Sequence, residues 1–280
     1  MYFVVILTVI MFLELFIVSV LGLIIGSFLN VYILRLNTGR SATGRSGCMS
    51  CGERLDWRDL VPVFSFFVLR GRCTSCGSRI SNQYWIVELT TAVVFVLVWL
   101  QGFSLLHTIF AFILLSLLII IAVYDVKHTI IPNTVVYTFI ALALISNVSF
   151  FDIANFSELS LPILLAVFSG AMVALPLFVL WGVSRGTWMG FGDVKLTFGF
   201  GVMIGIYDGL MAVMLGFILG AIIGVTLLHA PKVIRRLPLS PTSSRFTIGS
   251  EIPFAPFLIL GFLLVFLFGV DILALADALI

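Results

Sequence analysis

Long apolar runs separated by short polar gaps dominate this chain. They lie at about 3–34, 84–101, 105–124, 130–151, 161–183, 194–230 and 252–275. Most match or exceed the ~20 residues needed to cross a bilayer as a helix. The run at 194–230 would measure roughly 55 Å as one helix, far beyond a ~30 Å hydrocarbon core. Tyr207-Asp208-Gly209 interrupts it, so it reads as two spans, 194–206 and 210–229. The pattern predicts an all-α polytopic membrane protein with about eight transmembrane helices.

Composition agrees: 61% of residues are hydrophobic and 10% charged, with a mean hydropathy of +1.25, whereas soluble domains carry about 25% charge. The N-terminal run is too long for a signal h-region and lacks a basic flank, so it reads as a retained first span. Net charge is only +2, and no nucleic-acid partner is expected.

Charge distribution sets the orientation. The polar stretch 35–83 carries Arg35, Arg40, Arg45, Arg54, Arg58, Arg70, Arg72 and Arg79, which by the positive-inside rule makes it cytoplasmic and the N-terminus external. Threading eight spans then puts Lys127, Arg185, Lys195, Lys232, Arg235, Arg236 and Arg245 inside, so all 15 Lys and Arg fall on one side. Counting 194–230 as one span would put the Lys232 to Arg245 cluster outside.

On this threading two acids reach the cytoplasmic face at the ends of apolar runs. Asp125 lies in Tyr124-Asp125-Val126-Lys127, and Asp193 in Gly190-Phe191-Gly192-Asp193-Val194-Lys195-Leu196. Carboxylates in membrane helices are costly and usually functional. As a pair they suit aspartic hydrolysis, in which one carboxylate activates water and its protonated partner polarises the carbonyl, a division that repulsion and desolvation create. Gly190 and Gly192 are expected to admit an extended substrate or to take positive φ. The short span after Asp193 offers water a route by local thinning of the bilayer or from a cavity. Taken singly, each acid has a structural alternative. Asp193 could cap its helix, and Asp125 could pair with Lys127 or His128. Intramembrane acids also serve transporters and proton relays.

Cys48-Met49-Ser50-Cys51 and Cys73-Thr74-Ser75-Cys76 hold all four cysteines. Each pair is a C-x-x-C half of a tetrahedral zinc site, and four thiolates leave no open position, so the zinc would be structural. Two disulfides are the alternative, disfavoured in a reducing cytoplasm.

These motifs resemble the bacterial type IV prepilin peptidase family, whose hallmark is an Asp followed six residues later by Ile-Pro and then a distant Gly-x-Gly-Asp. Here these are Asp125, Ile131-Pro132 and Gly190 to Asp193. The likeness extends to Gly26-Ser27-Phe28-Leu29-Asn30-Val31 with Arg35, the four cysteines, Asp59-Leu60-Val61-Pro62, Leu69-Arg70-Gly71-Arg72-Cys73, Tyr84, Glu88, and Pro253-Phe254 with Pro256-Phe257-Leu258. It is also similar to the wider group of GxGD intramembrane aspartyl proteases. The resemblance implies a protease of the bacterial inner membrane, with Asp125 and Asp193 as its catalytic pair. Such an enzyme cuts the leader of prepilins and pseudopilins in type IV pilus or type II secretion systems. It then N-methylates the new terminus with S-adenosylmethionine. Three parts follow: a first span (1–34), a cysteine loop that includes a possible methyltransferase part (35–83) and a protease region (84–280). A peptidase without methyl transfer, or a multi-pass transporter or assembly protein, are the alternatives. Met49 and Ala255 depart from the family pattern, and neither is expected to touch the dyad. Glu14 is expected to face a polar interior, and His107 and His229 to be interfacial.

Overall fold

A computed structural model of the chain describes residues 2–39, 44, 46–149, 160–229 and 253–271. Among them stand nine α-helices: α1 (Tyr2–Arg35), α2 (Phe64–Val68), α3 (Gln83–Leu100), α4 (Leu105–His128), α5 (Asn133–Ser149), α6 (Ser160–Ser184), α7 (Phe191–Ile204), α8 (Ile206–His229) and α9 (Ala255–Phe268). Eight correspond to the expected spans, and α2 is a five-residue helix inside the cysteine loop. Helices α1, α3, α4, α6 and α8 are long and apolar enough to cross a membrane, while α5 and α9 are shorter apolar helices. The protein is an all-α, multi-pass membrane protein. The Lys232 to Arg245 cluster, used to thread the spans, lies outside the described residues.

The α7/α8 break falls at Gly205 rather than at Tyr207-Asp208-Gly209. Gly205 takes φ +86°, which glycine adopts freely, and its N–H closes α7 on the carbonyl of Gly201 at 3.0 Å. Gly209 is helical and serves packing instead, since a Cβ there would come within 2.7 Å of Val173.

Two compact units divide the chain, Met1–Ile119 and Ile120–Ile280, and the division runs through α4. In the first, α1 and α3 run antiparallel at very short range. A Cβ on Gly22 would lie 2.5 Å from the Ala92 Cα, and one on Gly26 would lie 2.7 Å from the Glu88 Cα. Gly22 and Gly26 thus form a G-x-x-x-G surface that lets two backbones touch, the packing device of membranes, where apolar lipid offers no hydrophobic drive. Further along, fully buried Asn30 donates to the Tyr84 carbonyl at 3.0 Å and accepts from Gln83 at 3.2 Å. Large apolar residues elsewhere on α1, Phe12, Phe16 and Ile17 among them, are exposed, as suits lipid contact. Glu14 is exposed beside them and faces no polar interior.

The second unit is built around α7. Residues all round this helix are buried, from Asp193 and Val194 to Phe200 and Val202, and α5, α6, α8 and α9 pack on it. A helix buried on every side can be shorter than the bilayer is thick, because protein rather than lipid meets its ends. Phe139, Phe200 and Phe262 fill the centre, with the last two stacked at 4.5 Å between centroids. Asn147 of α5 donates to the Val202 carbonyl at 2.7 Å, tying α5 to the far end of α7.

Candidate active site and cysteine cluster

Asp125 sits in the last turn of α4, next to a sharp reversal. Its carbonyl accepts the N–H of Thr129 at 2.7 Å, and Thr129 takes φ +52°. Pro132 cannot continue α4; its carbonyl instead accepts Val135 and Val136, both at 3.1 Å, and opens α5. The Ile-Pro element is therefore the corner between α4 and α5.

Asp193 lies in the first turn of α7, three residues after its N-cap, Gly190. It is not the cap, although an acid in a first turn is favoured by the exposed N–H groups there. The corner and the turn are packed together: a Cβ on Gly192 would come within 2.8 Å of the Ile131 Cβ. Asp193 directly follows Gly192 and Asp125 ends the helix that leads into Ile131, so this packing brings the two predicted aspartates to one end of the bundle. Both are nearly buried, 5% and 7% exposed.

Neither glycine has positive φ. Gly192 is required by Ile131, whose side chain a Cβ there would strike. Gly190, at φ −75°, borders open space, its nearest hypothetical contact being 3.9 Å away. Four helices pack on α7, so protein surrounds this short span.

Ala255 bears on the site after all. Its backbone N–H donates to Asp125 Oδ2 at 3.1 Å, and its side chain is fully buried. This contact brings α9 into the site. The flanking Pro253 and Pro256 mark the segment in the sequence, but nothing there says which N–H is used. Lys195 is also drawn in: its ammonium bonds Asn133 Oδ1 and lies over the rings of Tyr137 and Phe191 at 5.2 and 5.5 Å.

In the first unit the four cysteines converge, their sulfurs all within 4.8 Å of one another. The two halves repeat one turn. Cys48 N–H bonds the Glu53 carbonyl at 2.8 Å and Gly52 N–H the Cys48 carbonyl at 2.9 Å; Cys73 with Ser78, and Gly77 with Cys73, repeat this at 2.9 and 3.0 Å. Gly52 and Gly77 take φ +74° and +69°. A glycine after each C-x-x-C is the sequence signal for this hairpin. All four are free thiols.

The arrangement fits a tetrahedral metal. Zinc–sulfur bonds of 2.3 Å put sulfurs about 3.8 Å apart, and Cys48 and Cys76 Sγ are 3.8 Å apart. Backbone N–H groups of Cys51 and Ser50, then the Ser78 hydroxyl, push the Cys48 thiol down to about 6. Although the Glu53 N–H favours the Cys51 thiolate, hydrogen bonding with Cys48 pushes that thiol up to about 11. Four thiolates this close need a cation between them.

The chain is similar to known proteins over most of its length. Residues 20–102 match the family described as Bacterial Peptidase A24 N-terminal domain, and residues 112–225 match the Type IV leader peptidase family. The prepilin leader peptidase/N-methyltransferase of Bacillus subtilis is 30% identical over 264 residues, covering 92% of this chain and 96% of that one. The chain belongs to the type IV leader peptidase family. The prepilin leader peptidase/N-methyltransferase of Pseudomonas aeruginosa is also 30% identical, over 89% of this chain and 88% of its own. That of Myxococcus xanthus reaches 42% over 115 residues, or 40% of this chain and 34% of its own. No solved structure matches. In this leader peptidase family member, the N-terminal match holds the cysteine cluster, and both aspartates fall within the peptidase match.

Proposed function

We propose that the chain is a prepilin leader peptidase and N-methyltransferase of the bacterial inner membrane. In this reading its N-terminus is external and Asp125 and Asp193 work at the cytoplasmic face. The observation that carries it is the packing of Gly192 on Ile131, which brings two nearly buried aspartates to one end of the bundle. One ionised aspartate takes a proton from water, whose oxygen attacks the scissile carbonyl while the protonated partner donates to the carbonyl oxygen. Collapse of the tetrahedral intermediate breaks the C–N bond, and the leaving amine takes a proton from the pair. The Ala255 N–H holds Asp125 in place through one carboxylate oxygen, leaving the other for water or substrate. Substrates are prepilins and pseudopilins of type IV pilus or type II secretion systems.

S-adenosylmethionine, implied by the resemblance, would supply an electrophilic methyl group to the neutral new amine, the new N–C bond replacing its sulfonium S–C bond with release of S-adenosylhomocysteine and one proton. No residue is assigned to that donor. Cys48, Cys51, Cys73 and Cys76 would hold a structural zinc, a staple for a loop too small to build its own core.

Membranes carrying wild type, Asp125→Ala or Asp193→Ala, incubated with a prepilin, test the dyad; full cleavage by either variant would sink it. Mass spectrometry of the mature N-terminus separates methylation from cleavage alone. Purified protein should hold about one zinc, and Cys48→Ser should lower that content.

A further inference from the structure

The loop between α1 and α3 exposes more apolar surface than a water-facing loop would. Trp57, Phe64, Phe67 and Val68 are 73%, 67%, 60% and 61% exposed. They belong to a 3-10 turn (Trp57–Leu60) and α2, which are anchored to the start of a membrane span.

Two contacts make the anchor. Phe66 and Phe67 pack on Trp85 with centroids 6.4 and 5.8 Å away, and Trp85 is in the first turn of α3. The N–H of Val63 donates to buried Glu88 at 2.7 Å. Val63 has φ +60°, costly for a β-branched residue, and this bond holds it there. α2 is thereby fixed at the depth of the first α3 turn.

That depth is the membrane boundary. α1 and α3 pair antiparallel, Asn30 beside Tyr84 and Gly22 against Ala92, so the loop leaves and re-enters at one face. Ile86, Leu89 and Val93, each one position on from Trp85, Glu88 and Ala92, are exposed along α3. They continue the apolar surface of α2 into the lipid-facing side of the span. Exposed Arg58 and Arg70 flank the patch, and Arg58 lies over the Trp57 ring at 5.4 Å. Asp59 accepts the N–H of Asp56 at 3.2 Å, so one neighbouring acid is already engaged.

We infer that α2 and the Trp57 turn form an interfacial wedge, with Phe64, Phe67 and Val68 in the acyl boundary and Arg58 and Arg70 against anionic headgroups. The chemistry is that of an amphipathic interfacial segment, here held rigid by Trp85 and Glu88. The occupant is the bilayer itself, since the patch is continuous with the lipid-facing surface of α3.

The test places a benzophenone amino acid at Phe64, Val68 or Val93 of the full-length protein. The protein sits in nanodiscs of equal phosphatidylglycerol and phosphatidylcholine, and adducts are identified by mass spectrometry after irradiation. Lipid adducts are expected at positions 64 and 68 with yields within about twofold of Val93. Phosphatidylglycerol should be favoured about fivefold at 64 and 68, as expected for one arginine at an anionic surface, with no preference at Val93. Arg58→Gln with Arg70→Gln should erase the preference. Absence of lipid adducts at 64 and 68 while Val93 labels would overturn the wedge. So would equal labelling of the two lipids, or adducts at these positions only with an added prepilin.

Discussion

The carboxylate of Asp125 accepts the backbone N–H of Ala255 at 3.1 Å, across 130 residues of chain. The partner is a backbone group, so the side chain at position 255 is free to shrink but not to grow. Ala255→Gly should keep prepilin cleavage within about threefold of wild type, at the modest entropic cost of a glycine. Ala255→Leu, placed where Ala255 is 0% exposed, should lose about 1–3 kcal/mol of stability by overpacking. Cleavage assays and thermal unfolding of both variants check this.

Gly192 and Gly190 should part company. A Cβ at 192 would meet the Ile131 Cβ at 2.8 Å, whereas one at 190 meets nothing within 3.8 Å, its nearest atom being at 3.9 Å. Gly192→Ala is expected to be destabilised by about 1–3 kcal/mol and to be partly rescued by Ile131→Ala. Gly190→Ala should unfold at the wild-type temperature, so any activity it loses reports contact with substrate. Equal destabilisation of the two would contradict the packing.

A pair that works with one proton between two carboxylates loses its acid at high pH and its base at low pH. Leader cleavage should therefore fall on both sides of an optimum, with limbs that belong to the pair rather than to either residue. Asp125→Asn and Asp193→Asn should each reduce cleavage by about 10²–10⁴-fold. A rate that falls on one side only would leave a single titrating group in charge.

In the first unit, Gly26→Ile would drive a side chain into the Glu88 backbone, 2.7 Å from its first atom. The α1–α3 pair should separate, with Asn30 losing its bond to Tyr84. Thermal unfolding should drop, and a disulfide engineered across the pair should form less readily than in wild type. A variant as stable as wild type would show that α1 and α3 are not held by this contact.

Much of this was legible in the chain because membranes simplify folding. Seven apolar runs, one of them broken in two, reappear as eight apolar helices, since a span must satisfy its own backbone hydrogen bonds and does so locally. C-x-x-C spacing likewise put each cysteine pair on one tight turn. The break after α7 was misread because Gly205 and Gly209 look alike in sequence, and only neighbouring side chains show that one turns the chain and the other packs on Val173. Glu14 was misread because which side of α1 meets lipid depends on α3.

By itself, the sequence determined the all-α, multi-pass class and the two acids at helix ends, both consequences of local hydrophobicity and charge. The tertiary structure alone decided how Asp125 and Asp193 are joined: Ile131 against Gly192, and the Ala255 N–H on the carboxylate. These are contacts between residues far apart in the chain, fixed by close packing and hydrogen bonding in the folded bundle. No local pattern encodes which backbone group will be the one that reaches a buried acid.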